Sequence, residues 1–197
     1  MNHPIPVWPG GLVSLPGGDV YVRSAPADTA GSATMRTEHA VFVHGLGGSA
    51  TNWTDLMDLL RRPAHGVQAG GGQPGGAPVA VPALAGQAVD LPGFGFSPVP
   101  ADGDYSIDAK ARIVIELIEH YRRWPVHLVG NSLGGSVAVR VAARRPDLVK
   151  TLTLVSPALP DLLPRVIPLR VSVLCVPGVA EWTSVPSRAA RSIPVWM

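Results

Sequence analysis

Ser132 is the residue in this sequence best placed to do chemistry. It is the centre of Gly130-Asn131-Ser132-Leu133-Gly134, directly after the apolar run Val126 to Val129 and directly before an apolar-periodic segment. That succession predicts a strand, a sharp turn and a helix. Glycine two residues either side of the serine suits a turn in which neighbouring backbone leaves no room for a β-carbon. A serine at the apex is held in a strained conformation with its Oγ clear of the sheet. The next amide, that of Leu133, falls at the helix N-terminus, where unpaired N–H groups favour a developing oxyanion. The implied chemistry is nucleophilic attack by a serine hydroxyl. The same five residues can also form a glycine-rich turn with no chemistry, so the surrounding elements decide. Leu133, Val137 and Val141 step along one helix face, and Arg144 and Arg145 precede Pro146 as a helix stop.

The elements that must position this serine can be read in chain order. Gly11 to Leu15, the turn Pro16-Gly17-Gly18-Asp19 and Val20 to Arg23 predict a hairpin. Ala40 to Val43 is too brief for a helix and apolar enough for a buried parallel strand. It delivers His44-Gly45-Leu46-Gly47-Gly48-Ser49. Asn52 reads as the N-cap of a helix with Trp53, Leu56, Met57 and Leu60 on its apolar face. Residues 63–86 are dominated by Gly, Pro and Ala and predict a flexible insertion, more simply a surface loop than an active-site flap. Gln87 to Asp90 predicts the next strand, leading into Leu91-Pro92-Gly93-Phe94-Gly95-Phe96-Ser97. Ser106 caps a helix with Ile107, Ala111, Val114, Ile118 and Tyr121 on one face, and Lys150 to Val155 reads as a further parallel strand. Strands alternating with amphipathic helices predict an α/β fold, a mostly parallel sheet with flanking helices. Sites on such sheets lie at the carboxyl ends of the strands, where the loops at His44, Asp90 and Ser132 could meet.

Composition excludes several function classes. A chain of 197 residues, 46% hydrophobic, is most simply built on one core, and a net charge of +2 with no basic run indicates neither nucleic acid nor an anionic surface as partner. The lone Cys175 rules out an internal disulfide and fits the reducing cytoplasm. The N-terminus lacks the basic start and apolar core of a signal peptide. The most apolar stretch, 159–179, is broken by four prolines and two arginines, so no membrane span is expected. Nothing calls for a metal or a cofactor.

Three motifs in this order resemble the α/β-hydrolase superfamily. HGLGGS is similar to the family's oxyanion loop, DLPGFGFS to the segment after the next strand, and GNSLGG to the nucleophile elbow, a resemblance covering about residues 12–157. It implies that Ser132 is the nucleophile and that the backbone amides of Leu46 and Leu133 form the oxyanion hole. His44, Gly45, Gly130 and Gly134 then support the motifs. Asp90 holds its loop by hydrogen bonds.

The family order is Ser, then Asp or Glu, then His, and this sequence departs from it. No histidine follows Ser132; His3, His39, His44, His65, His120 and His127 all precede it. Among the acids after the elbow, Asp147 follows the helix stop, away from the site. Asp161 is the candidate triad acid, and Glu181 is the remaining one. The reading is an α/β-hydrolase fold truncated after about its sixth strand, with residues 1–157 a partial core and 158–197 the start of a cap and an irregular tail. Its expected activity is hydrolysis of an ester or related small apolar substrate, esterase- or lipase-like and weak for the sequence as it stands. The alternative is a non-catalytic remnant that binds a small ligand or partner. An uncovered sheet edge after Lys150 to Val155 is a possible surface for association.

Overall fold

The structure is a computed structural model that describes residues 8–28, 37–62, 64–67 and 79–158. The chain divides into Met1–Leu162 and Leu163–Met197, and the second unit lies outside the described residues, as does nearly all of the expected cap and tail at 158–197.

A two-residue turn at Pro16-Gly17 joins β1 (Gly10–Leu15) and β2 (Gly18–Ala25) as an antiparallel hairpin. β3 spans Thr37–Val43 and leads, through a 3-10 turn at Ala50–Trp53, into α1 (Thr54–Leu60). β4 (Ala64–Val67) and β5 (Val79–Val81) pair with each other as a separate two-stranded ribbon. β6 (Ala83–Val89), α2 (Ile107–Tyr121), β7 (Val126–Asn131), α3 (Leu133–Arg144) and β8 (Val149–Val155) follow. The main sheet has the order β1-β2-β6-β3-β7-β8, and every pairing from β6 to β8 is parallel. It is therefore a mostly parallel α/β sheet, as the alternation of strand and helix patterns predicts.

Its two faces are covered by different sets of residues. Because strand side chains alternate, β3 sends Ala40 and Phe42 to one face and Val41 and Val43 to the other, all fully buried. Phe42 packs with Trp53, Met57 and Ala88 under α1, the Phe42 and Trp53 rings 5.4 Å apart. Val41 and Val43 join Val114, Leu117 and Ile118 of α2 and Val137 and Val141 of α3. Burial on both faces explains why β3 lacks the apolar–polar alternation of a one-sided strand. α2 starts where Ser106 Oγ accepts the Ala109 N–H at 3.1 Å, as its sequence position predicts. Among the described residues no helix is long and apolar enough to cross a membrane.

Two expectations need correction. The segment 63–86 is not a single loop: β4 and β5 lie within it, and β6 begins at Ala83, four residues ahead of the expected Gln87. Within β6, Gly86 is held to glycine by packing. A β-carbon on Gly86 would stand 3.1 Å from Met57 Cγ and 3.2 Å from Phe42 Cε2. Residues 63 and 68–78 of that segment lie outside the described residues. Asn52 is likewise no N-cap. Ser49 caps the 3-10 turn, and Asn52 is its third residue, with Oδ1 accepting the Ser49 N–H at 2.7 Å.

Phe42 fills the layer between the central strand and α1. Phe42→Ala should lower unfolding stability by about 3–5 kcal/mol, measured as a loss in urea midpoint. A cost under about 1 kcal/mol would mean that α1 does not pack on β3 as described.

Candidate active site

Ser132 stands between the last residue of β7 and the first of α3, with φ 49° and ψ −114°. Positive φ in a non-glycine residue stores strain of about 1–3 kcal/mol and persists only where the surroundings fix it. Here they do. The Ser132 N–H donates to Val155 O at 3.0 Å, and its carbonyl accepts from Gly135 N at 2.9 Å and Ala158 N at 3.0 Å. The flanking glycines are required by contact: a β-carbon on Gly130 would strike the Gly134 carbonyl, and one on Gly134 would strike the carbonyl oxygens of Val43 and His44. The first turn of α3 thus rests directly on the end of β3.

That contact brings the loop after β3 to the serine. A β-carbon on Gly45 would lie 3.2 Å from Ser132 Cβ and 3.4 Å from Asn131 Oδ1. Between the two loops is a cleft of about 230 Å³ lined by His44, Gly45, Leu46, Asn52, Trp53 and Ser132, among others. Leu46 is exposed at its rim, and half-buried Leu133 follows Ser132 at the helix start, where backbone N–H groups lack intrahelical acceptors.

His44 is fully buried and both ring nitrogens are occupied. Nδ1–H donates to Gly45 O at 2.7 Å, and Nε2 accepts the Leu91 N–H at 3.0 Å. This is the pattern of a neutral imidazole. Burial holds its pKa below the ordinary histidine value, against the opposing pull of the Gly45 carbonyl and the Asp90 charge. With no nitrogen free, His44 positions loops.

Asp90 ties the same loops from the other side. Its Oδ1 accepts the Ala50 N–H at 2.5 Å and its Oδ2 the Phe96 N–H at 2.8 Å. Gly95, at φ +55°, passes so close that a β-carbon there would run into the carboxylate. Ser97 completes the knot: its Oγ–H donates to Asp90 O at 2.6 Å and accepts the Tyr21 N–H at 2.8 Å.

The remaining candidates lie elsewhere. His127 is bonded through Nδ1 to Thr151 Oγ1 at 2.7 Å and through Nε2 to Glu38 Oε2 at 2.5 Å. His120 packs edge-on to Tyr121, on α2. Asp147 pairs with Arg145 beyond the C-terminus of α3, the end away from Ser132. Asp161 and Glu181 lie outside the described residues, as does His3. Asn52 and Trp53 line the cleft but were legible in sequence only as helix-forming residues.

The alpha/beta hydrolase fold family model matches residues 39–174. The chain belongs to the α/β-hydrolase fold family. As an α/β-hydrolase it is 33% identical over 115 residues to an esterase of Mycobacterium tuberculosis, covering 58% of this chain and 31% of that protein. It is 33% identical over 122 residues to Lipase 3 of a Moraxella species, covering 61% of this chain and 32% of the relative. The chain thus spans about a third of the length of these relatives. Among solved structures it is similar to a bacterial membrane phospholipase A, with a TM-score of 0.59 and 22% identity over 83% of this chain and 42% of that one. It is also similar to an epoxide hydrolase from an endophytic Streptomyces, at 0.55 and 18% over 75% and 36%. At such identities the structural likeness establishes the fold alone.

The state of His44 predicts a pH dependence of stability. In the unfolded chain it titrates near the ordinary value of 6.5, whereas the fold keeps it neutral. As pH falls through that value the unfolded state takes up a proton that the folded state refuses. Stability therefore drops with falling pH, by up to about 1.4 kcal/mol per unit for one such group. Partly buried His39, also held below its ordinary value by burial and by Arg123, adds to the same slope. His44→Asn should flatten the fall in urea midpoint from about pH 7 to about pH 5. An unchanged slope would show that His44 is protonated in the fold.

Proposed function

We propose that this α/β-hydrolase is an ester-cleaving serine hydrolase in which Ser132 is the nucleophile and the Leu46 and Leu133 amides receive the oxyanion. The observation that carries the reading is the backbone of Ser132. A strained serine at a strand-to-helix junction, bordering a cleft shared with the Leu46 loop, is the geometry that exposes a hydroxyl beside preformed N–H donors. The esterase and lipase named above support ester substrates with apolar groups, and the reading assigns the reducing cytoplasm on the lone Cys175.

The general base is the part that none of the described residues supplies. No histidine follows Ser132, and His44, the one histidine at the cleft among the described residues, has both nitrogens engaged. A serine hydroxyl is a weak nucleophile until a neighbouring base takes its proton. In this reading Asp161 remains the candidate acid, residues 158–197 the beginning of a cap, and the base comes from chain beyond those given. A second reading, a non-catalytic remnant that binds a small ligand in the cleft, is favoured by the same full engagement of His44. β8 has a strand neighbour on one side only among the described residues, and Leu152 on it is 38% exposed, so association through that edge belongs to either reading.

The test is labelling by a fluorophosphonate together with turnover of short p-nitrophenyl esters. The 197 residues alone should turn over roughly a thousandfold or more slowly than an intact serine hydrolase. A version extended by the strands that carry acid and base in this family should label strongly, and Ser132→Ala should abolish the labelling. An extended protein that still ignores the probe would favour the ligand-binding reading. Strong Ser132-dependent turnover by the 197 residues alone would mean that a base has been overlooked among the early histidines.

A further inference from the structure

The end of the sheet away from Ser132 carries a second recess. It is a groove of about 390 Å³ between the first residues of β3, the turn joining α2 to β7, and the start of β8. Its walls include Glu38, His39, Arg122, Arg123, Trp124 and Lys150. The charge there is unbalanced. Glu38, the only acid of the lining, already accepts from Lys150 and from His127, the Lys150 bond being the larger cause of its lowered pKa. Arg122 and Arg123 are exposed and form no ion pair among the described residues. His39 Nδ1 is buried without a hydrogen-bond partner among the described residues, an orphan polar atom of a kind that folded proteins seldom leave. Beside them Trp124 shows 46% of its surface.

A helix C-terminus attracts cations, which accounts for an arginine after α2. It does not account for the convergence of two other strands on the same groove, nor for the unpartnered imidazole nitrogen. Two unpaired guanidinium groups match the oxygens of a phosphoryl group, each able to donate two parallel N–H bonds. His39 lines the same groove, and the Trp124 indole offers an apolar wall for the organic part of a ligand. We propose that this groove is a binding site for a small soluble phosphate monoester with an apolar or aromatic body, separate from the Ser132 cleft.

The recessed shape favours a small ligand over a flat lipid surface, and the position at the amino ends of the parallel strands keeps such a ligand clear of the catalytic mouth. Phenyl phosphate is the probe. Calorimetric titration of the 197-residue chain should show saturable one-to-one binding that weakens with added salt. The Arg122→Ala/Arg123→Ala double variant should bind at least about tenfold more weakly, with an unchanged thermal midpoint because both side chains are exposed. His39→Gln should weaken binding less than the double arginine change, and Ser132→Ala should leave it unaltered. Binding that survives loss of both arginines, or that disappears with Ser132→Ala, would overturn the proposal. So would the absence of saturation at low-millimolar phenyl phosphate, or capture by vesicles containing phosphatidic acid with no response to phenyl phosphate.

Discussion

The architecture of the site depends on one close approach, the first turn of α3 against the end of β3. Gly134 sits where any side chain would collide with the Val43 and His44 carbonyls, and Gly130 where one would collide with the Gly134 carbonyl. Removing two β-carbons lets the helix start in direct contact with the neighbouring strand. Two consequences follow. The helix N-terminus is drawn under the loop at Gly45, so Ser132 and the loop after β3 share one cleft. The residue between the glycines has nowhere to go but into positive φ, which is where Ser132 is found. Strain at the serine is thus the geometric product of a packing contact in the sheet, and hydrogen bonds from Ala158 and Gly135 to its carbonyl hold it there.

A second set of contacts keeps the loop after β3 from relaxing away. His44 and Asp90 are neighbours in space at the carboxyl ends of β3 and β6, and between them they satisfy the amides of Ala50, Leu91 and Phe96. Hydrogen bonds to a carboxylate are worth about 1.5–3 kcal/mol each, and an orphaned buried amide costs a similar amount. The two loops are therefore locked by buried polar bonds as well as by buried Leu91, while Leu46 and Phe96 remain largely exposed. Rigid backbone under exposed apolar side chains suits a surface that must hold donors still while meeting an apolar ligand.

Much of this could be read from the sequence because the constraints are local. Glycine at 130 and 134 around a serine, an apolar run before it and an amphipathic period after it fix strand, turn and helix within about 15 residues of chain. Ser106 marks the start of α2 for the same reason: its cap is a contact over three residues. What the sequence concealed depends on partners distant in the chain. Ala83 to Gly86 carry no strand signature, and they are a strand because β3 pairs with them, with Met57 and Phe42 crowding Gly86. Asn52 has the composition of an N-cap, yet Ser49 takes that role because the chain turns one step earlier to meet the Asp90 carboxylate at Ala50. The orphan nitrogen of His39 and the grouping of Arg122, Arg123 and Lys150 are likewise invisible until three separate segments are brought side by side.

Under the proposed assignment these two kinds of constraint divide the apparatus in a particular way. Among the described residues, those that shape the cleft at Ser132 lie between β3 and the residues just after β8, and are fixed by sterics or by buried hydrogen bonds inside that span. The acceptors that hold it, His44 Nε2 and the Asp90 carboxylate, are taken up by backbone amides. Nucleophilicity is a different property: it needs a base within hydrogen-bond reach of Oγ, and no steric relation among glycines can substitute for one. The serine's position and its reactivity are therefore set by separate parts of the structure. Transition-state stabilisation by fixed donors survives loss of the base, whereas proton transfer does not survive loss of the histidine. Under the proposed assignment such a half-site would still bind a carbonyl oxygen at the amides of Leu46 and Leu133, and its affinity for a neutral carbonyl ligand should be the property least affected by the identity of the base.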